Sequence, residues 1–90
     1  MIADGENIML TDREVELLVI TMEECAEVQK ECSKMIRFDD TDKDRLSREV
    51  GDLLCMIDLL IEENVINVEE VSRTQDEKRE KLTKWMRHLS

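Results

Sequence analysis

The sequence predicts an all-α protein, a compact bundle of three long helices in a single domain that covers all 90 residues. Three observations support this class. Proline is absent and glycine occurs only twice, so little interrupts a helix. The composition is rich in Leu, Ile, Val, Met, Glu, Lys and Arg, with apolar residues at helical spacing. Capping patterns also precede two of the three segments.

The first helix is predicted to begin at Thr11 and to run to about Ile36. Thr11 and Glu14 form a capping-box pattern, and Asp12 adds negative charge where the helix dipole favours it. Residues 1–10 precede this cap as an N-terminal arm, which we expect not to be a signal peptide.

The second and third helices follow two short connections. The polar stretch 37–43 contains aspartates suited to a turn and a cap, so the second helix is predicted over 44–63. Asn67 and Glu70 repeat the capping pattern, and the third helix is predicted over 68–88.

The first helix carries two apolar sets on roughly opposite sides. The main stripe is Val15, Leu18, Met22, Ala26 and Gln29, and the second set is Leu17, Ile20, Val28 and Met35. The second helix repeats this arrangement, with a main stripe of Leu46, Val50, Leu53, Ile57 and Leu60. Two apolar stripes need more neighbours than a small bundle supplies. We therefore expect a homo-oligomer, most simply a two-fold dimer that completes a larger helical bundle.

The charge and the cysteines limit the partners. A formal net charge of -10 disfavours binding to a nucleic-acid polymer. Apolar runs such as 17–20 are far too short to span a bilayer, so no membrane partner is expected. Cys25, Cys32 and Cys55 form no CxxC pair, and we expect buried thiols in a reducing, cytoplasmic compartment.

Two acidic motifs are the main functional signal. Glu24 and Glu27 are three residues apart on the first helix, as are Glu49 and Asp52 on the second. Residues at this spacing share a helix face, so two packed helices would bring four carboxylates together. Such crowding requires a positive charge, and all-oxygen ligands favour Mg²⁺, with Mn²⁺ as a substitute. Mg²⁺ commonly shares its ligands with phosphates, which indicates a phosphorylated ligand.

Acidic pairs also arise by chance in a chain with 23 acidic residues. Basic partners are nevertheless missing four residues after Glu24, Glu27 and Asp52. Gly51 costs the second helix about 1 kcal/mol relative to alanine, so we expect another helix to approach closely there. An EF-hand over 40–51 is excluded, because Arg45 and Gly51 occupy its glycine and glutamate positions. His88 is expected at the surface.

The two motifs and their flanks resemble those of the MazG-like nucleoside triphosphate pyrophosphohydrolases, which are all-α enzymes. The matching segments are 23–28 and 49–54, separated by the family's spacer of about twenty residues. Segments 33–38 and 78–86 resemble the short members encoded by bacteriophages, so the resemblance covers about 11–86. It implies a host-cytoplasm location if the chain is phage-encoded.

The resemblance implies hydrolysis of a nucleoside triphosphate between the α- and β-phosphates. It also implies Mg²⁺ dependence, a dimer or dimer of dimers, and metal binding by the four acids Glu24, Glu27, Glu49 and Asp52. One family feature is absent, because residues 74–78 lack the asparagine that many relatives carry near the substrate. The preferred base or sugar therefore stays open.

The remaining catalytic roles are assigned by position. Glu23 or Glu31 would orient or deprotonate the attacking water. Cations would stabilise the developing negative charge, and the candidates are Lys34, Arg37, Lys78 and Lys81. For each lysine the competing interpretation is a solvated side chain. Trp85 and Phe38 are ambiguous between packing and contact with a nucleobase, and packing or an interface is favoured for Trp85.

Two other classes of function compete with the enzyme. One is a catalytically silent acidic helical module that binds a protein partner. The other is an acidic antiparallel coiled-coil adaptor, which does not account for mid-helix acids in apolar surroundings or for Gly51.

Overall fold

The computed structural model describes residues 9–88, which form three α-helices and no strand. The helices are α1 (Asp12–Phe38), α2 (Lys43–Glu62) and α3 (Val68–Trp85). The predicted all-α class is confirmed, and the helix ends differ from the predicted ones by at most a few residues. Most of the predicted N-terminal arm lies outside the described residues, whereas Met9 and Leu10 are described and exposed.

The predicted caps are present at the starts of α1 and α3. The Thr11 hydroxyl accepts a hydrogen bond from the Glu14 backbone N–H at 3.0 Å, and the Glu14 carboxylate accepts one from Thr11 at 2.9 Å. Asn67 accepts from the Glu70 N–H at 3.1 Å. These bonds satisfy N–H groups that a helix start leaves without partners, which explains why the sequence marks both starts.

The end of α2 turns the chain back on itself. Asn64 adopts a left-handed conformation with φ 60° and donates to the Ile61 carbonyl at 3.0 Å, while Val65 donates to the Leu60 carbonyl at 2.8 Å. This pair of bonds is the Schellman motif that commonly ends helices. It directs Val65 and Ile66 onto the apolar core.

Helices α1 and α2 form an antiparallel hairpin, and they pack extensively on each other. The buried core consists of Leu17, Met56 and Leu60 and lies towards the open end of the hairpin. At that end Arg13 donates to both Glu63 carboxylate oxygens, with an Nη2–Oε2 distance of 2.6 Å and an Nε–Oε1 distance of 2.8 Å. The hydrogen bond from Arg13 lowers the pKa of Glu63, so the pair stabilises the hairpin less as the pH falls.

Leu17 of the second apolar set belongs to the core between α1 and α2, and Val28 of the same set is half-buried. The main stripe is largely exposed, with Val15 45% and Met22 70% accessible. The hairpin therefore packs mainly through the set that contains the acids. Leu18 of the main stripe also packs against the core, and the rest of that stripe is exposed.

The predicted compact three-helix bundle is wrong for the single chain, because α3 makes hardly any contact with the other helices. The molecule measures 52 × 28 × 22 Å, and its radius of gyration is 16.9 Å. A compact domain of this length would have about 12 Å. Val68, Trp85 and Met86 on α3 are exposed, so Trp85 is not part of a core within one chain. None of the three described helices combines the length and apolar character needed to cross a bilayer.

Two smaller expectations are also wrong for the single chain. Cys25, Cys32 and Cys55 are all exposed, because each lies off the face that joins α1 to α2. Among the described residues, no atom of another helix lies within 4 Å of a Cβ built on Gly51, so the expected close approach of a helix is not made within one chain. His88 is exposed, as expected.

The small core makes a direct prediction about stability. Leu60→Ala removes a side chain that is 5% exposed, and we expect it to lower the free energy of unfolding by about 2 to 5 kcal/mol in urea denaturation followed by circular dichroism. Leu54→Ala on the same helix, where Leu54 is 53% exposed, should cost less than about 1 kcal/mol. Equal losses for the two variants would contradict this description of the core.

Candidate metal centre

Three acidic side chains meet in the layer of the hairpin next to the apolar core. Glu24 lies two turns after Leu17 on the same face of α1. Asp52 lies one turn before Met56 on α2, and Glu49 lies three residues before Asp52. The packing of Leu17 near Met56 therefore fixes which acids oppose each other.

One carboxylate oxygen from each of Glu24, Glu49 and Asp52 lies within 4.8 Å of the other two. Glu24 and Glu49 are half-buried, and Asp52 is exposed, so the cluster opens to solvent on one side. The structure therefore brings together three of the four acids that the sequence analysis assigned to a metal, and it does so across two helices.

The cluster changes the acidity of Glu24. Partial burial raises the pKa of its carboxyl, and the neighbouring negative charges raise it further, in the order Asp52, Glu49, Glu27 and Glu23. Both effects disfavour the ionised form. The metal-free protein thus holds an acid whose charge is poorly compensated, which is the condition that a bound cation relieves.

Glu27 lies outside the group of close carboxylate oxygens. Although it follows Glu24 by one turn of α1 and contributes to raising the pKa of Glu24, its oxygens are not within the 4.8 Å cluster. Its assignment as a metal ligand stays a prediction.

The two acids considered for activating water have different surroundings. Glu23 is exposed and close enough to Glu24 to raise its pKa. Glu31 is only 7% exposed and is paired with Arg45 at 3.5 Å and with Lys34 at 3.7 Å. These ion pairs occupy Glu31, whereas Glu23 is exposed beside Glu24.

The four predicted cationic residues are distributed over two helices. Lys34 pairs with Glu31, and the Arg37 guanidinium lies 4.8 Å from the centre of the Phe38 ring. Lys78 and Lys81 are on α3, which does not pack on the hairpin, and they have no ion pair with the three clustered acids in the described structure. A single chain therefore does not bring the α3 lysines to the acids.

Two arginines that hold the hairpin together are not among the predicted site residues. Arg13 joins the open end of the hairpin to Glu63, and Arg45 joins the other end through Glu31, Asp40 and Asp42. Arg45 had a visible signal, because it lies one turn before Glu49 and directly after an aspartate-rich segment. The Arg13 pair had none, because the partners are fifty residues apart.

The donor set fits a hard divalent cation. Mg²⁺ binds oxygen at 2.0–2.1 Å, so oxygens on opposite sides of the ion are about 4 Å apart. The observed 4.8 Å limit is close to this separation, and small rotations of flexible side chains would reduce it. No histidine or cysteine belongs to the group, which disfavours zinc.

Comparison of the chain with models of protein families, with curated proteins and with solved structures gave no match.

The pKa of Glu24 predicts how the metal-free protein responds to substitution. Because the folded-state pKa is raised, ionised Glu24 destabilises the fold at neutral pH, and this effect is relieved as the pH falls through that pKa. We therefore expect Glu24→Gln to raise the Tm at pH 7 in EDTA. The gain should disappear below the ordinary pKa of glutamate.

The measurement is a series of thermal unfolding curves by circular dichroism from pH 4 to 8. Glu62→Gln, which removes one negative charge from an exposed position on α2, is the control for net charge. A Tm that falls in Glu24→Gln, or that rises equally in both variants, would contradict the clustering of the carboxylates.

Proposed function

We propose that the protein is a Mg²⁺-dependent nucleoside triphosphate pyrophosphohydrolase. It cleaves a ribo- or deoxyribonucleoside triphosphate between the α- and β-phosphates by attack of water, which yields the monophosphate and pyrophosphate. The observation that carries the proposal is the meeting of Glu24, Glu49 and Asp52 across two helices. The spacing and flanks of the two acidic motifs, which resemble those of the MazG-like enzymes, connect this cluster to triphosphates.

The residues of the cluster divide the work by position. Glu24, Glu49 and Asp52 hold Mg²⁺, or Mn²⁺ in its place, and Glu27 extends the set from the next turn of α1. A cation held there would supply positive charge to the phosphate oxygens and would increase the acidity of a water molecule. Glu23, exposed beside Glu24, orients the water and accepts its proton. The open side of the cluster, where Asp52 is exposed, admits the triphosphate.

The cations that offset charge on the departing pyrophosphate come from two places. Arg37, at the end of α1, belongs to the same hairpin as the acids. Lys78 and Lys81 belong to α3, and they reach a cluster when two chains associate. Lys34 stays with Glu31 and contributes to the local positive charge.

A homodimer accounts for the surfaces that the single chain leaves open. Val15 and Met22 on α1 and Val68 and Trp85 on α3 are exposed apolar side chains. Charge supports the same arrangement, because between Lys78 and Arg87 there are five basic residues and only one acid, whereas the chain as a whole has net charge -10. The basic half of α3 and the acidic hairpin of a second copy attract each other.

The alternative function is a catalytically silent acidic helical module that binds a protein partner. The exposed apolar sides of α1 and α3 favour it, because such surfaces commonly mark interaction sites. The silent module does not require the three acids to lie close together, whereas the enzyme does.

An assay of pyrophosphate release separates the two. With a panel of all common NTPs and dNTPs and excess Mg²⁺, we expect turnover that EDTA abolishes. Glu49→Gln and Asp52→Asn should each lower kcat/KM by about 100-fold or more, because the bound cation stabilises the transition state by several kcal/mol. Asp58→Asn, which changes another exposed aspartate on α2, should retain activity.

Absence of turnover with every nucleotide, for a protein whose helical content is intact, would contradict the enzyme and favour the silent module. Activity that survives both Glu49→Gln and Asp52→Asn would show that the metal assignment is wrong.

Mixing two inactive variants tests the contribution of a second chain. One variant carries Lys78→Ala and Lys81→Ala, and the other carries Asp52→Asn. If α3 of one chain completes the site of the other, a mixed dimer has one intact site, and an equal mixture after exchange should regain about a quarter of wild-type activity. Recovery near zero, with mixed dimers detected by native mass spectrometry, would show that the two lysines act together with the acids of the same chain.

A further inference from the structure

The closed end of the hairpin is held by charges that converge on one arginine. Arg45, in the first turn of α2, contacts Asp40 and pairs with Asp42 at 3.3 Å, both in the connection between the helices. Its Nε atom lies 3.5 Å from Glu31 of α1. Arg45 thus joins α1, the connection and α2 through a single side chain.

Glu31 is the buried partner in this group. It is 7% exposed, and among the described residues it is the one buried polar or charged side chain. Burying a carboxylate costs free energy unless the group is paired, and Arg45 with Lys34 supplies that pairing. The pair occupies a position on the α1–α2 face where an apolar residue would make the usual contact.

The role of the Glu31–Arg45 pair follows from its position relative to the carboxylate cluster. Glu31 lies two turns after Glu24 on the same face of α1, and Arg45 lies one turn before Glu49 on α2. The cluster therefore has the apolar core on one side and the Glu31–Arg45 pair on the other. Repulsion among the three clustered carboxylates pushes the helices apart in the layer between.

We propose that Glu31 and Arg45 are positioning residues that form an ionic clamp. The clamp holds α1 against α2 beside the carboxylates, so that Glu24 stays opposite Glu49 and Asp52 at the separation a divalent cation needs. Neither clamp residue binds the cation. The part of this inference that concerns metal rests on the proposed function, whereas the part that concerns the helices does not.

The sign of a change in metal affinity tests the clamp. Arg45→Met removes a positive charge near the cluster, which by electrostatics alone would tighten binding of a divalent cation. Loss of positioning would weaken it. Arg48→Met is the matched control, because Arg48 is exposed, lies one turn further along α2 and has no ion pair among the described residues.

The probe is Mn²⁺ alone, with free Mn²⁺ counted by electron paramagnetic resonance. We expect Arg45→Met to bind Mn²⁺ at least about tenfold more weakly than wild type, and Arg48→Met to bind equally well or more tightly. Equal or tighter binding by folded Arg45→Met would overturn the clamp. If Arg45→Met does not fold, Arg45→Lys keeps the charge but loses the planar fork, and unchanged affinity in that variant would overturn the clamp equally.

Amide hydrogen exchange without metal separates failure of the clamp from failure of the proposed function. In EDTA, the first two turns of α2 should exchange faster in Arg45→Met than in Arg48→Met. Wild-type protein that binds no Mn²⁺ would contradict the proposed metal centre, and the exchange comparison would still decide the clamp. Identical exchange in the two variants would overturn it.

Discussion

The packing of α1 on α2 determines the rest of this structure, and it occurs across a face that is only partly apolar. Leu17, Met56 and Leu60 supply the attraction at one end. Glu24, Glu49 and Asp52 occupy the next layer and oppose it by repulsion. The hairpin therefore depends on a balance between apolar burial and like charge. Ion pairs at both ends, one through Arg13 and one through Arg45, shift that balance towards packing.

This balance is the one that the proposed cation site requires. Natural proteins tolerate locally unfavourable charge where a ligand needs it, and the surrounding structure carries the cost. Here the unfavourable layer lies between two stabilising ones, and partial burial together with the neighbouring carboxylates raises the pKa of Glu24. In the Arg13–Glu63 pair, the hydrogen bond favours the charged form of each residue. It therefore lowers the pKa of Glu63 and raises the pKa of Arg13. Lowering the pH therefore weakens the Arg13–Glu63 pair and reduces the repulsion around Glu24.

Local signals made much of this structure predictable. Thr11 and Asn67 set the helix starts through hydrogen bonds within three residues, so their patterns were visible in the sequence. The proximity of Glu24 to Glu49 and Asp52 follows from helical spacing if the two helices pack against each other. The direction of α3 was not visible, because the Schellman turn at Asn64 and the packing of Val65 determine it.

Features that depend on which face of a helix is used were the ones missed. Both stripes of α1 are apolar enough to form an interface, and composition alone did not distinguish them. The hairpin uses the face of Leu17, which leaves Cys25 and Met22 at the surface. In the sequence Arg45 serves only to exclude an EF-hand, whereas in the structure it pairs with both Asp40 and Asp42.

Because α3 projects from the hairpin, the equilibrium between helix and coil in this segment affects the properties of the whole protein. A helix of 18 residues with so few contacts to the rest of the chain depends mainly on its own hydrogen bonds, because packing supplies most of the stability of helices in proteins. Its cap at Asn67 and the ion pairs of Arg73 with Glu70 and Glu77 add only small local stabilisation. We therefore expect the helical content of α3 to depend on temperature, on salt and on contact with another protein surface. The basic side chains it carries become ordered only to the extent that this helix does.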